Sequence, residues 1–236
     1  MYVIVIGPAG AGKTSIAKKI SDEIANNSIL VNLDPATKID ADIDIRKWVK
    51  IEELQEKYGL GINGALLKSM EIIAGMNEWI VKDKDKIKVI DTPGQLEIFL
   101  YHDYGKKIIE KLQEYDAVTV IFVVDAYEAI SPENYIAMLA QNAIINLRLS
   151  ISSITAINKI DLVDKNNISK FFDRKYLEKE IENADTLLSL AKGLLDYIEY
   201  TTIYTRPLLI SAKTGEGLNE LYDVIHEIHC TCGDLS

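Results

Sequence analysis

Near the start of the chain, Gly7-Pro8-Ala9-Gly10-Ala11-Gly12-Lys13-Thr14 fits the spacing G-x-x-x-x-G-K-[ST] in full. Glycines at these positions let the backbone curl until successive N–H groups point inward, an arrangement that suits phosphate oxygens. A helix opening directly after the loop adds a partial positive charge. Lys13 has the reach to meet β- and γ-phosphates, and Thr14 carries a hydroxyl for Mg²⁺. Gly10, Ala11, Gly12 and Ser15 complete the expected phosphate contacts. The chemistry implied is the binding of a nucleoside triphosphate.

Two later segments address the base. Asn158-Lys159-Ile160-Asp161 follows the apolar stretch 151–157. A carboxylate at Asp161 can accept from guanine N1–H and from the 2-amino group. Adenine offers neither donor, so ATP would leave the carboxylate unpaired, and sites of this kind discriminate by roughly 10⁴-fold or more. Lys159 can cover the purine face. Ser211-Ala212-Lys213 follows another strand pattern, where a backbone N–H can donate to guanine O6. A third segment, Asp91-Thr92-Pro93-Gly94, offers Asp91 to Mg²⁺ through water and the Gly94 N–H to the γ-phosphate. Gln95 then stands where GTPases often place the residue that orients attacking water. Gly59-Leu60-Gly61-Ile62-Asn63-Gly64 also spells G-x-G-x-x-G, but it follows a helical stretch (51–58) rather than a strand, which is the wrong setting for a dinucleotide fingerprint.

Something must bring these segments together. Short apolar runs rich in β-branched residues predict strands at 2–6, 29–33, 87–91, 117–125, 151–158 and 208–211. Helical spacing fills 13–25, 96–112, 133–147, 175–199 and 216–228. Buried strands alternating with helices predict an α/β fold of the P-loop NTPase type, a mostly parallel sheet with helices on both faces. No repeat, low-complexity tract or linker interrupts the chain, so a single domain over 1–236 is expected, with helical insertions at about 48–82 and 165–200. In the first insertion, Ile62, Leu66, Met70, Ile73, Met76 and Ile80 fall on one helical stripe, suited either to packing on the core or to an interface.

Composition narrows the partners. The chain has 236 residues, 48% hydrophobic and 26% charged, which excludes disorder, collagen and coiled coil as the main architecture. A net charge of −10 argues against nucleic acid and anionic membrane surfaces. Cys230 and Cys232 are too close in sequence to brace a fold, which fits a reducing compartment. No apolar run reaches the roughly 18 residues of a membrane span, and the start lacks a basic leader, so the expected location is cytoplasmic. The run His226-Glu227-Ile228-His229-Cys230-Thr231-Cys232 lacks the spacing of a zinc module and reads as reduced thiols with surface or interface histidines. His102 reads as structural.

These motifs together resemble the GPN-loop GTPases. The likeness also rests on Val31-Asn32-Leu33-Asp34-Pro35-Ala36, Asp44-Ile45-Arg46, Asp91-Thr92-Pro93-Gly94-Gln95-Leu96-Glu97 and the closing Cys230-Thr231-Cys232-Gly233-Asp234-Leu235. The resemblance implies GTP hydrolysis to GDP and phosphate with Mg²⁺, a homodimer, and a role in protein-complex assembly with partners such as RNA polymerase. Gln95, Asp34 and Asp44 are the expected water-aligning residues. Asp34 also stands at the carboxyl end of a strand, where such folds place ligands. Asp40, Asp42 and Asp44 alternate with Ile39, Ala41, Ile43 and Ile45, a pattern that also suits an exposed strand face. Arg46 reads as a surface residue, with charge stabilisation as the alternative. One departure stands out: Gly61-Ile62-Asn63 replaces the family's Gly-Pro-Asn. By resemblance Asn63 contacts phosphate in the neighbouring subunit. Ile62 lacks the fixed φ of proline, so slower hydrolysis is expected. A GTP-binding assembly factor with incidental turnover is the alternative function, and a P-loop metabolite kinase is disfavoured because it has no need of the guanine clamp.

Overall fold

Tyr2–Ile6 is an unbroken apolar run, and all five of its residues are buried as β1. In the computed structural model, which describes residues 1–24, 27–83, 85–182, 193, 195 and 206–233, this strand sits at the middle of the sheet. The other strands are β2 (Ser28–Asn32), β3 (Ile43–Asp44), β4 (Ile87–Asp91), β5 (Val118–Asp125), β6 (Ser153–Asn158) and β7 (Leu208–Leu209). They form one seven-stranded sheet in the order β3-β2-β4-β1-β5-β6-β7, and every pairing is parallel. The helices are α1 (Lys13–Ile24), α2 (Ile51–Tyr58), α3 (Ile62–Gly75), α4 (Glu78–Val81), α5 (Leu96–Leu100), α6 (Tyr104–Gln113), α7 (Pro132–Leu149), α8 (Asn166–Ser169), α9 (Arg174–Glu182) and α10 (Leu218–Gly233).

Strand periodicity splits the core into two layers. Tyr2, Ile4 and Ile6 of β1 join Val120, Phe122 and Val124 of β5 on one face. Val3, Val5, Ile121 and Val123 face the other way, onto Ile16, Ala17 and Ile20 of α1 and Leu218, Leu221 and Ile225 of α10. The first layer is the thicker one, because α2, α3, α5, α6 and α7 all feed it.

The expected α/β architecture is therefore present, with differences of detail. Ile43–Asp44 adds a seventh, two-residue strand. The alternation over 39–45 does not make an exposed strand face, since Asp44 is buried with Ile43 and Ile45 on either side of it. The helix expected over 96–112 is two, broken between Leu100 and Tyr104. The stripe from Ile62 to Ile80 spans two helices. Leu66, Met70, Ile73 and Ile80 are spent on the chain's own core, whereas Ile62 is 54% exposed at the start of α3. The bulk of the stripe is thus intramolecular packing. In the second insertion, 174–182 is helical as expected, and most of the remainder of 175–199 lies outside the described residues. The Cys230 and Cys232 side chains also lie outside them. Among the described residues, no helix is long and apolar enough to cross a membrane.

Candidate functional site

Because all strands run the same way, their carboxyl ends share one edge of the sheet. That edge collects Gly7 after β1, Asp34 after β2, Asp44 on β3, Asp91 on β4, Asp125 on β5, Asn158 on β6 and Ser211 after β7. Ligands of open α/β sheets bind outside this edge.

The loop between β1 and α1 is held by close approaches that only glycine permits. Gly7 has φ +150, and a Cβ there would lie 2.1 Å from the Val123 carbonyl oxygen. Gly12 has φ +95, and its Cβ would meet Asn158 Nδ2 at 2.3 Å. Lys13 folds back over the loop, its Nζ donating to the Gly7 and Pro8 carbonyls at 2.9 Å each. Burial lowers the pKa of this ammonium, against the opposing pull of Asp91 and Asp34.

Thr14 Oγ1 donates to Asp91 Oδ2 at 2.7 Å. Asp91 is 2% exposed, and its other oxygen, Oδ1, is buried without a hydrogen-bond partner. Burial pushes its carboxyl up to about 6, although the Thr14 bond and the Lys13 charge oppose this. An orphaned buried carboxylate oxygen beside a threonine hydroxyl fits a hard divalent cation. Mg²⁺ takes oxygen ligands and is characteristically held by one or two carboxylates together with substrate phosphates. Among the described residues, no cluster of three or more His, Cys, Asp or Glu could hold a metal unaided.

Asp34 is 7% exposed, and its Oδ1 accepts from the Ala36 N–H at 2.8 Å. Asn32, at 0% exposure, holds this corner: its Oδ1 accepts from the Asp34 N–H, while its Nδ2 donates to Thr37 O and Asp44 Oδ1. Asp44 is engaged from several sides. Arg46 Nη2 reaches its Oδ2 at 2.6 Å, Nε meets both oxygens at 3.1 Å, and the Arg46 N–H donates to Oδ1. Burial alone would raise the Asp44 carboxyl, but the hydrogen bonds and charge of Arg46, with Asn32, bring it below its ordinary value. Arg46 is therefore half-buried and fork-bonded rather than a free surface residue.

On the base side, Asn158 is a seam. Its Nδ2 donates to Ala11 O at 2.9 Å, and its Oδ1 accepts from the Ala212 N–H at 3.0 Å. One buried amide thus ties the phosphate loop to the Ser211-Ala212-Lys213 loop. Ser211 Oγ donates to Asp161 Oδ1 at 2.6 Å, and Lys213 Nζ stands 4.0 Å from Asp161 Oδ2. Lys159 is left-handed, with φ 68, and its Nζ bonds Asp125 Oδ2 at 2.6 Å.

The structure thus gathers Lys13, Thr14 and Asp91 by direct contact or charge, and Asn158, Asp161, Ser211 and Ala212 by hydrogen bonds. Gln95 is exposed at the start of α5, next to the half-buried Gly94. Asn63 is exposed in the first turn of α3, and among the described residues no hydrogen bond ties it to the phosphate loop. Two contributors escaped sequence reasoning. Asn32 carried a weak signal as part of Val-Asn-Leu-Asp-Pro-Ala. Asp125 carried one as an acid closing the most hydrophobic strand.

Sheet order and the glycine-lined loop between β1 and α1 define a P-loop nucleotide-binding fold. A family model described as a conserved hypothetical ATP binding protein matches residues 5–231. A GPN-loop GTPase of Pyrococcus abyssi is 33% identical, with all of both chains aligned. GPN-loop GTPase 2 of Schizosaccharomyces pombe is 36% identical over 68% of this chain and 55% of its own length. The crystal structure of a Pyrococcus abyssi GTPase in apo form matches with a TM-score of 0.83 at 29% identity, covering 98% of each chain. The chain belongs to the GPN-loop GTPase family.

Proposed function

We propose that the chain binds GTP with Mg²⁺, hydrolyses it to GDP and phosphate, and works as a homodimer whose nucleotide state governs protein-complex assembly in the cytoplasm, RNA polymerase being the kind of assembly concerned. Residues 1–236 act as one domain. The observation that carries this reading is the Asn158 seam, which gives the phosphate loop and the base loop a common wall. One ligand with a triphosphate at one end and a purine at the other spans such a wall. The Pyrococcus abyssi relative named a GTPase, aligned end to end, supports the same activity. Guanine rather than adenine follows from Asp161, whose carboxylate matches the two donors on the guanine edge.

Lys13 and the N–H groups of Gly10, Ala11, Gly12, Thr14 and Ser15 hold the β- and γ-phosphates. Thr14 and Asp91 would hold the cation, which would supply positive charge against the negative charge of the phosphates. Lys13 stabilises the equatorial oxygens as negative charge shifts. The Gly94 N–H meets the γ-phosphate. Gln95 and Asp34 orient the attacking water. Asp44, already bonded to Arg46 and Asn32, keeps that corner in place and contributes indirectly. Lys159 covers the purine face, while Asp161, Ser211, Ala212 and Lys213 form its edge pocket. Ile62 and Asn63, both exposed on α3, are offered to a second copy of the chain.

Single-turnover hydrolysis with Gln95→Ala and Asp34→Ala variants tests the catalytic part. Losses of about 10²-fold or more are expected. A negligible rate in the unaltered protein would instead favour a GTP-binding assembly factor with incidental turnover.

A further inference from the structure

Lys159 adopts a backbone conformation that side chains disfavour. Its φ of 68 and ψ of 32 put it in the left-handed region, at the entry to the 3₁₀ turn Ile160–Leu162. A non-glycine residue there is sterically disfavoured, so its surroundings must hold it. The turn Ala126–Ala129 that follows β5 provides the hold. Asp125 and Asn158 are register partners at the ends of β5 and β6. Asp125 Oδ2 accepts from Lys159 Nζ at 2.6 Å, and its Oδ1 accepts from the Tyr127 N–H at 3.0 Å. Tyr127 in turn donates its hydroxyl to Leu162 O at 3.4 Å. The turn after β5 therefore grips the turn after β6 at both ends, with Asp161 between the two grips.

We propose that Asp125 is a positioning residue for guanine recognition, acting through Lys159 with Tyr127 as its second point of contact. Resting on the reading of Asn158–Asp161 as the base site, the proposal gives Asp125 two effects. It fixes the Lys159 ammonium so that the aliphatic stem lies flat against the purine. It also holds the turn that aims the Asp161 carboxylate. Neither effect reaches the γ-phosphate, so Asp125 serves GTP and GDP equally. This separates it from Lys13 and Thr14, whose contacts follow the phosphate chain.

The test uses the full chain and measures GDP and GTP affinity, KM and kcat for Asp125→Ala, Asp125→Asn, Lys159→Ala and the double variant Asp125→Asn/Lys159→Ala. Asp125→Asn retains an acceptor for the Tyr127 N–H and so isolates the ion pair. Both Asp125 variants are expected to weaken GDP and GTP alike by about tenfold, through KM rather than kcat. In the Lys159→Ala background the Asp125 effect is expected to shrink to less than about threefold. Equal losses in both backgrounds, or a loss confined to kcat, would overturn the proposal. Asp161→Ala is run alongside. If it leaves the preference for GTP over ATP intact, the base-site reading itself fails. If it removes that preference while Asp125→Asn binds GDP within twofold of the parent, the base site stands and the brace alone fails.

Discussion

Thr14 and Asp91, 77 positions apart in sequence, are joined by a 2.7 Å hydrogen bond that uses one carboxylate oxygen and leaves the other buried and unpartnered. The bond places the end of β4 against the first turn of α1. It also leaves a desolvated negative charge waiting for a positive one.

That charge makes a pH prediction. Burial lifts the Asp91 carboxyl from an ordinary 3.8 to about 6. The folded state therefore holds the proton to higher pH than the unfolded chain does. Well below pH 3.8 both states are protonated and burial carries no electrostatic penalty. As pH rises from about 4 to 6, the unfolded chain releases its proton first and stability falls, by up to about 3 kcal/mol. In buffer without divalent cations, Asp91→Asn should gain on the parent by about 5–10 °C in Tm between pH 4.5 and pH 8. With Mg²⁺ and GTP the order should reverse. Thermal melts across this range decide it, and a Tm difference that does not change with pH would remove the assignment.

The phosphate loop could be read from sequence because its chemistry is local: loop, lysine and threonine are consecutive. Asn158–Asp161 and Ser211–Lys213 each stood out as a short consecutive run, but their meeting through Asn158, Asp161 and Ser211 spans about 50 positions and comes from the sheet. The brace was not, since Asp125 and Lys159 are 34 positions apart and meet only through the register of β5 and β6. The strand β3 was legible only in part: the alternation over 39–45 suggested an exposed strand face, but only Ile43–Asp44 pairs with β2, and Asp44 is buried there. The stripe on 62–80 misled at its first member: the face that buries Leu66 and Met70 begins after Ile62, and Ile80 belongs to the next helix.

Gly12 tests the seam. A Cβ there would overlap the Asn158 amide that joins the two loops, and φ +95 is strained for any side chain. Gly12→Ala should lower Tm by about 3–6 °C and weaken both GTP and GDP at least tenfold. Melting curves and nucleotide titrations report the two effects separately. A variant that binds GDP normally would show that the seam is not needed for binding.

Asp161 tests the guanine reading. Its Oδ1 accepts from Ser211 Oγ at 2.6 Å, which fixes the carboxylate. Calorimetry with Mg²⁺ should give a preference for GTP over ATP of about 10⁴-fold in the parent. Asp161→Ala should lose most of it by weakening GTP, with ATP little changed. Equal affinities for the two nucleotides in the parent would favour the adenine description carried by the family model.

The exposed first residue of α3 offers the sharpest test of the dimer reading. Gly61, before it, is extended at φ −71 and ψ 172, a conformation that a residue preceding proline readily adopts. Ile62 occupies the first helical position, where proline's fixed φ suits the helix and its missing N–H is no loss. Ile62→Pro should therefore fold without strain and stabilise the chain by about 0.5 kcal/mol through the unfolded state. It should also hold Asn63 in a narrower range of positions. If Asn63 serves the phosphate site of a second copy, narrowing that range should raise hydrolysis by about twofold to tenfold, with nucleotide affinity unchanged. The gain should vanish in an Ile62→Pro/Asn63→Ala double variant. Turnover measured against protein concentration, with the oligomeric state followed in parallel, separates an effect in trans from one in cis. An unchanged or slower rate in Ile62→Pro would count against the contact between copies.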